Sequence, residues 1–343
     1  MNSRVVCFGE IMLRLSPPGF ERLLQSPALS ATFGGGEANV AVSLAHFGVT
    51  SAYVTRVPAN AIGDAAIRAL RAEGVDVTHI ERGGSRLGIY FAETGASQRA
   101  STVLYDRAHS AISEMQPGSV KWDAVLAGAD WFHWTGITPA LGRDAATCTR
   151  EAIEAASKAG AKVSVDLNFR RKLWCEADAQ SVMRPLVTGA DLVIANEEDL
   201  QSVLGIAVAG ANVTAGDLDP AAYRAAAERV AAEFKVARVA ISLRESVSAS
   251  ENGWSAVLYE AASKTFHHSQ RYVIRVVDRI GGGDSFAAGL LYGFIQNWAG
   301  DAALRFAVAA SALKHTVPGD FNRMSVAEVQ QLAGGDASGR VQR

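Results

Sequence analysis

The 343-residue chain carries 33 Lys+Arg against 35 Asp+Glu, a formal charge of −2, and 49% of its residues are hydrophobic. That balance excludes the strong basic field of a dedicated nucleic-acid or anionic-membrane binder, and the apolar fraction excludes a mainly disordered chain. Three dispersed cysteines, Cys7, Cys148 and Cys175, without a Cys-x-x-Cys pair, exclude a disulfide scaffold and a zinc finger.

A reducing, cytoplasmic setting is expected. The opening apolar stretch is too short for a signal peptide and is interrupted by Glu10. No run reaches the length of a membrane helix.

In chain order, residues 5–11 predict a strand and residues 38–46 a helix behind three glycines. Residues 53–57 predict a second strand, and 65–73 a helix closing near Gly74. Short apolar runs at 131–134, 163–167, 192–195 and 239–243 suit strands buried on both faces, with helices between them at 144–158 and 221–234. This alternation predicts βαβ units, a mostly parallel sheet and helices on both of its faces. Segments 13–32 and 86–109 break the rhythm; the second reads as two strands around a polar turn. Both are assigned to a small antiparallel flap inserted in a core spanning 1–333, and residues 334–343 read as a frayed tail.

The sharpest chemical signal is Asp278-Arg279-Ile280-Gly281-Gly282-Gly283-Asp284-Ser285. A strand at 272–277 runs into three glycines and then a helix whose first turn holds Asp284. Glycines let backbone N–H groups crowd around an anion, and the helix N-terminus adds unsatisfied donors. An Asp is not needed there to bind phosphate, which it would repel. It makes sense as the group that takes a substrate hydroxyl's proton while Gly281, Gly282 and Gly283 hold developing negative charge. The same Asp also reads as a simple helix N-cap. A second cluster, Gly34-Gly35-Gly36-Glu37-Ala38-Asn39, again sets glycines before a helix, and Asn39 there suits sugar hydroxyls as donor and acceptor.

Other chemistry is set aside. No Gly-x-x-x-x-Gly-Lys-[Ser/Thr], Gly-x-Gly-x-x-Gly or Gly-x-Ser-x-Gly is present, which counts against P-loop, dinucleotide and hydrolase readings. His267 and His268 are neighbours on a strand and point to opposite faces, so they read as surface. Trp131 and Trp134 read as core.

The two glycine clusters, in this order, resemble the two signatures of ribokinase-like carbohydrate kinases of the phosphofructokinase-B type. Gly63-Asp64, and Asn196 three residues before Asp199, add to the likeness, which runs from about residue 4 to 330. The resemblance implies a three-layer α/β/α core with a β-flap lid and a phosphotransferase using ATP and Mg2+; activation by K+ stays open. It also implies that Asp284 is the base and Gly281, Gly282 and Gly283 the anion hole. Asn168, Asn196, Ser242, Arg244, Gly281 and Gly283 would meet ATP, with Asn196 and Asp199 near magnesium through water.

Three departures stand out. Arg279 occupies a position where the family usually has Thr, and Asp199 one where it has Glu. Ser242-Leu243-Arg244-Glu245-Ser246 lacks the glycines of the usual nucleotide loop.

Tyr90, Tyr105-Asp106-Arg107, Asp166-Leu167-Asn168-Phe169-Arg170 and Pro318-Gly319-Asp320-Phe321-Asn322 are similar to the subset acting on 2-keto-3-deoxygluconate. Such a substrate carries a carboxylate, for which an Arg fork is the natural partner, and Arg107 and Arg170 are the candidates. Either Arg also reads as half of an ordinary salt bridge. On this resemblance Gly34, Gly35, Asn39, Tyr90, Tyr105, Arg107, Arg170 and Asp320 position the sugar acid. Phosphorylation at its 6-hydroxyl follows, with a homo-oligomer through the flap left open. A kinase for a neutral sugar and a non-catalytic sugar-binding protein of the same fold are the alternatives.

Overall fold

The computed structural model describes residues 3–208, 220–336 and 339. Most of the tail assigned to 334–343 lies outside the described residues. Strands β1 (Arg4–Phe8), β2 (Met12–Ser16), β3 (Ser30–Gly34), β4 (Thr50–Val57), β5 (Ile80–Arg82), β6 (Gly88–Glu93) and β7 (Thr102–Asp106) come from the first third of the chain. Strands β8 (Trp131–Thr135), β9 (Lys162–Asp166), β10 (Leu192–Ala195), β11 (Arg238–Ser246), β12 (Glu251–Glu260), β13 (Thr265–His268) and β14 (Tyr272–Arg275) complete the set.

Ten strands form one sheet in the order β13-β12-β11-β10-β9-β8-β1-β4-β5, with β14 also on β12. From β11 to β5 all neighbours are parallel; β12 returns antiparallel along β11 and carries β13 and β14 on its far edge. Successive side chains of a strand face opposite ways, and β1 shows the consequence. Val6 and Phe8 enter one buried cluster with residues of helices Arg143–Ala159, Glu176–Val187 and Pro220–Phe234. Val5 and Cys7 enter the other, with residues of helices Gly36–His46, Ala61–Ala72, Gly282–Ile295 and Gly300–Lys314. Helices therefore cover both faces of a sheet whose central strands are buried almost throughout, which is why a run such as Leu192–Ala195 does not alternate with polar residues.

Boundaries moved for local reasons. The strand expected over 5–11 stops at Phe8, and Gly9 allows the break: a Cβ there would stand 2.1 Å from the Glu37 carboxyl carbon. The second helix begins four residues early because Asn60 caps it, its Oδ1 accepting from Ile62 N–H and Gly63 N–H at 3.1 Å.

The irregular segments form a separate four-stranded sheet, β3-β2-β6-β7. Two antiparallel hairpins, β2–β3 and β6–β7, meet through a parallel β2–β6 pair. The face carrying Met12, Tyr90 and Ala92 packs toward Ile280 of the glycine turn. This arrangement hangs the sheet over the C-terminal ends of the central parallel strands, where βα turns converge.

Candidate active site

A cavity of about 350 Å³ lies between the two sheets, lined by residues from β2, β6, β7 and the turns after β9, β10 and β14. At its floor Asp284 sits in the first turn of helix Gly282–Ile295, whose N-cap is Gly281 rather than the aspartate. The Asp284 carboxylate is free to face the cavity, and Asn39 Nδ2 donates to its Oδ2 at 2.6 Å. Gly281 holds a left-handed φ of +86°, and a Cβ there would lie 2.0 Å from the Asp320 carbonyl oxygen. Gly283 opens on space, with nothing within 4 Å of the direction a Cβ would take. Among the described residues the Gly283 and Asp284 N–H groups have no backbone acceptor. These are the orphan donors of a helix start, aimed where an anion would stand.

Asp284 keeps a solvent-facing edge while the surrounding protein displaces most of its water. Burial pushes its carboxyl up to about 6, against the opposing hydrogen bond from Asn39 and the charges of Arg170 and Lys314. Asp166, at the end of β9, is likewise pushed up, by burial and by the neighbouring Asp199 and Asp284. Asn168 follows with φ +42°, a left-handed conformation that asparagine tolerates better than other side-chain-bearing residues.

Most of the expected site residues converge here. Gly35, Asn39, Tyr90, Tyr105, Arg107, Asn168, Arg170, Asn196, Asp199, Ser242, Arg244, Gly281, Gly283, Asp284 and Asp320 all line the cavity. Ser242 and Arg244 stand two apart on β11 and so share one face. Arg170 donates to its neighbour's carbonyl, Phe169 O, at 3.0 Å, and it has no carboxylate within 4 Å among the described residues.

Three expectations need correction. Gly282 does not line the cavity: its N–H reaches Arg279 O at 3.4 Å, and a Cβ would collide with the His315 ring at 2.3 Å. Its lack of a side chain serves packing. Gly34 is likewise a packing glycine, since a Cβ would stand 2.0 Å from Asp320 Oδ2.

Arg107 lines the cavity but is already paired with a carboxylate of the protein. Its Nε donates to Glu10 Oε2 at 2.9 Å and its Nη2 binds the same oxygen, while Ser110 Oγ donates to Glu10 Oε1 at 2.6 Å. Both members of this pair are buried, so the charges compensate each other. Asn196 and Asp199 form a capping box on helix Glu197–Leu204. Asp199 Oδ1 accepts from Phe169 N–H at 2.9 Å and Oδ2 from Asn196 N–H at 3.3 Å, which accords with the water-mediated place near magnesium expected of the pair. Among the described residues no group of three or more His, Cys, Asp or Glu side chains is placed to hold a metal ion.

Sequence reading missed Arg14. On β2, its Nη1 donates to Asp320 Oδ1 at 2.8 Å and its Nη2 to Asp278 Oδ2 at 2.6 Å, while Tyr90 Oη donates to Asp320 Oδ2 at 2.6 Å. Burial alone would lower the pKa of Arg14, but Asp320 and Asp278 outweigh it and hold the guanidinium charged. This buried network ties the small sheet to the glycine turn. Its partners lie 264 and 306 positions away, so no local signal marked it.

Known proteins bear on this geometry. Residues 2–326 match the family described as pfkB family carbohydrate kinase. The chain is 32% identical over 338 residues to a 2-dehydro-3-deoxygalactonokinase of Haloferax volcanii, covering 98% of this chain and 99% of that one. It is 26% identical to a 2-dehydro-3-deoxygluconokinase of Bacillus subtilis, covering 96% and 94%. Among solved structures, a 2-dehydro-3-deoxygluconokinase of Thermotoga maritima superposes with a TM-score of 0.93 at 48% identity, covering 97% of this chain and all (100%) of that one. An Escherichia coli protein described as a possible ribokinase, solved with ATP and magnesium, shares the fold with a TM-score of 0.78 at 19% identity. With a site of this build and a family match across nearly its whole length, the chain belongs to the pfkB family of carbohydrate kinases.

Proposed function

We propose that the protein transfers the γ-phosphoryl group of ATP to the 6-hydroxyl of 2-keto-3-deoxy-D-gluconate. One observation carries the reading: Arg170, a cation without a carboxylate partner among the described residues, faces the same cavity as Asp284 and the open Gly283 turn. A sugar acid offers that guanidinium a direct carboxylate partner, which a neutral sugar does not. The names of the Haloferax, Bacillus and Thermotoga relatives support the same substrate class.

In the proposed reaction the 6-hydroxyl oxygen bonds to the γ-phosphorus, the bond from that phosphorus to the bridging oxygen breaks, and ADP leaves. Asp284 takes the hydroxyl proton, and Gly283 N–H and Asp284 N–H face the charge on the moving phosphoryl group. Asn39, bonded to Asp284, orients both the carboxylate and a sugar hydroxyl. Tyr90 and Tyr105, with ring centroids 5.9 Å apart, wall the sugar on the flap side. Ser242, Arg244, Asn196 and Asn168 flank the nucleotide end.

Magnesium, when bound with ATP, neutralises phosphate charge. Because Asn196 and Asp199 are engaged in their capping box, this chain meets it through water. K+ activation is a matter for a salt titration.

The small sheet is read as a lid that excludes water, a competing phosphoryl acceptor. Its exposed Phe20, Leu24, Leu104 and Tyr105 support pairing with a second copy. Three unpaired cysteines support a reducing cytoplasm, and among the described residues no helix is long and apolar enough to cross a membrane.

ADP release, measured with ATP and magnesium over 2-keto-3-deoxygluconate, its galactonate epimer, fructose, ribose and adenosine, tests this. Preference for the gluconate-type acid is expected. Preference for fructose or ribose overturns the substrate, and silence on all five overturns the kinase.

A further inference from the structure

Lys314, the last residue of helix Gly300–Lys314, is fully buried, with 0% of its surface exposed. A buried ammonium is costly unless the protein compensates its charge. Its only hydrogen bond among the described residues is a long one, Nζ to Val317 O at 3.4 Å. It does not line the cavity, yet its Cε lies 3.1 Å from where a Gly281 Cβ would stand, directly against the glycine turn. Burial draws the amine below its ordinary pKa, while the carboxylates of Asp278, Asp320 and Asp284 act to keep it charged.

The local charge balance gives this lysine a task. Asp278, Asp284 and Asp320 surround a turn that must accept an anion; Arg170 and Arg279 face them from the cavity, and Arg14 and Lys314 are the buried cations set against them. Arg14 is already bound to two of the carboxylates. Without Lys314, Asp278 and Asp320 would stand behind the turn with Arg14 the one cation bonded to them among the described residues, a field less favourable to a phosphoryl group. The ammonium also sits at the C-terminus of its helix, where a cation is favoured.

We infer that Lys314 is a positioning residue: its side chain, packed through Cε against Gly281, places a positive charge that keeps the Gly281–Gly283 turn receptive to the phosphoryl charge that develops during transfer. It acts through the turn and touches neither substrate. The effect belongs to the transition state, so it falls on kcat more than on either KM.

The inference rests on the kinase reading of this site, and the experiment separates the two. Wild-type turnover is measured first on the five-substrate panel, and the best substrate becomes the reference; failure of the sugar-acid reading appears there, in the wild type. Lys314→Met and Lys314→Ala are then compared on that substrate. Lys314→Met, matched in size and uncharged, is expected to lose at least about tenfold in kcat, with KM for ATP and sugar within about threefold. Lys314→Ala is expected to regain activity severalfold in ethylammonium chloride but not in sodium chloride of equal ionic strength. A folded Lys314→Met enzyme with kcat within about threefold of wild type overturns the inference. Should Lys314→Met fail to fold, amine rescue of Lys314→Ala decides, and its absence overturns the inference equally.

Discussion

Asn39 Nδ2 meets Asp284 Oδ2 at 2.6 Å, joining the opening turns of two helices from residues 245 positions apart. The bond fixes the carboxylate's rotamer and leaves its other oxygen, Oδ1, on the Gly36 side of the cavity floor. A base held this way gives up conformational freedom before substrate arrives.

Asp284→Asn therefore separates chemistry from stability. The amide oxygen still accepts from Asn39, so the fold is retained, while turnover falls by at least about a hundredfold through loss of the base. Because burial raises the carboxyl to about 6, ionising it at pH 8 costs the folded state something of the order of 2 kcal/mol. The variant escapes that cost and should melt higher than wild type at pH 8. Near-normal turnover would remove Asp284 from the base position.

The same carboxyl sets a pH profile. A base works deprotonated, so kcat/KM for the sugar should fall as pH drops through about 6. Steady-state rates from pH 5 to 8, at sugar concentrations well below KM, would show the limb. A rate still flat at pH 5 would mean that the titrating group is not rate-determining.

Arg170 and Arg107 should respond in opposite ways. Arg170→Ala removes a cation that holds no structural carboxylate, so KM for the sugar acid should rise about a hundredfold or more with little change in melting temperature. Arg107→Met instead strands the buried Glu10, and the protein should lose about 3–5 kcal/mol of stability. Adding Glu10→Gln to Arg107→Met should recover much of that loss, which a denaturant-based double-mutant cycle would read. If Arg107→Met is stable and only weakens sugar binding, Arg107 meets the substrate after all.

The contrast between these two arginines marks where sequence reading stops. Glycines ahead of a helix, and an Asp inside its first turn, are local patterns, so Gly281, Gly283 and Asp284 were legible together with the alternating strands beneath them. Whether an arginine is free or spent depends on a carboxylate placed by tertiary structure: Glu10 lies 97 residues from Arg107. Arg14 escaped notice for the same reason, since its alternation within β2 announces only a strand. Gly34 and Gly282 failed differently: a glycine pattern cannot distinguish a backbone that must approach a ligand from one that must make room for Asp320 or His315.

Arg14 offers a test of how the small sheet is tied down. Arg14→Met leaves Asp278 and Asp320 buried without their guanidinium, and about 3–5 kcal/mol of stability should go with it. Tyr90→Phe removes one hydrogen bond to Asp320 and should cost only about 1–2 kcal/mol. Equal losses in the two variants would mean that the phenol, rather than the ion pair, anchors the flap.

Glu37 gives the stability curve a slope that can be isolated. Its side chain is buried, Oε1 accepts from Thr135 Oγ1 at 2.7 Å and Thr138 Oγ1 at 2.8 Å, and burial still pushes the carboxyl from 4.5 up to about 7. The folded state therefore holds a proton that the unfolded chain releases near the ordinary value. A folded pKa above the unfolded one means stability that is complete below about 4.5 and lost as pH rises through about 7. Over that window the loss is about 3 kcal/mol from this one group. Glu37→Gln keeps an acceptor for both threonines and has no proton to lose. Urea midpoints at pH 5 and pH 7.5 should therefore differ less in the variant, which gains on wild type at the higher pH. Parallel curves for the two proteins would place the Glu37 carboxyl at its ordinary value and assign the slope to other groups.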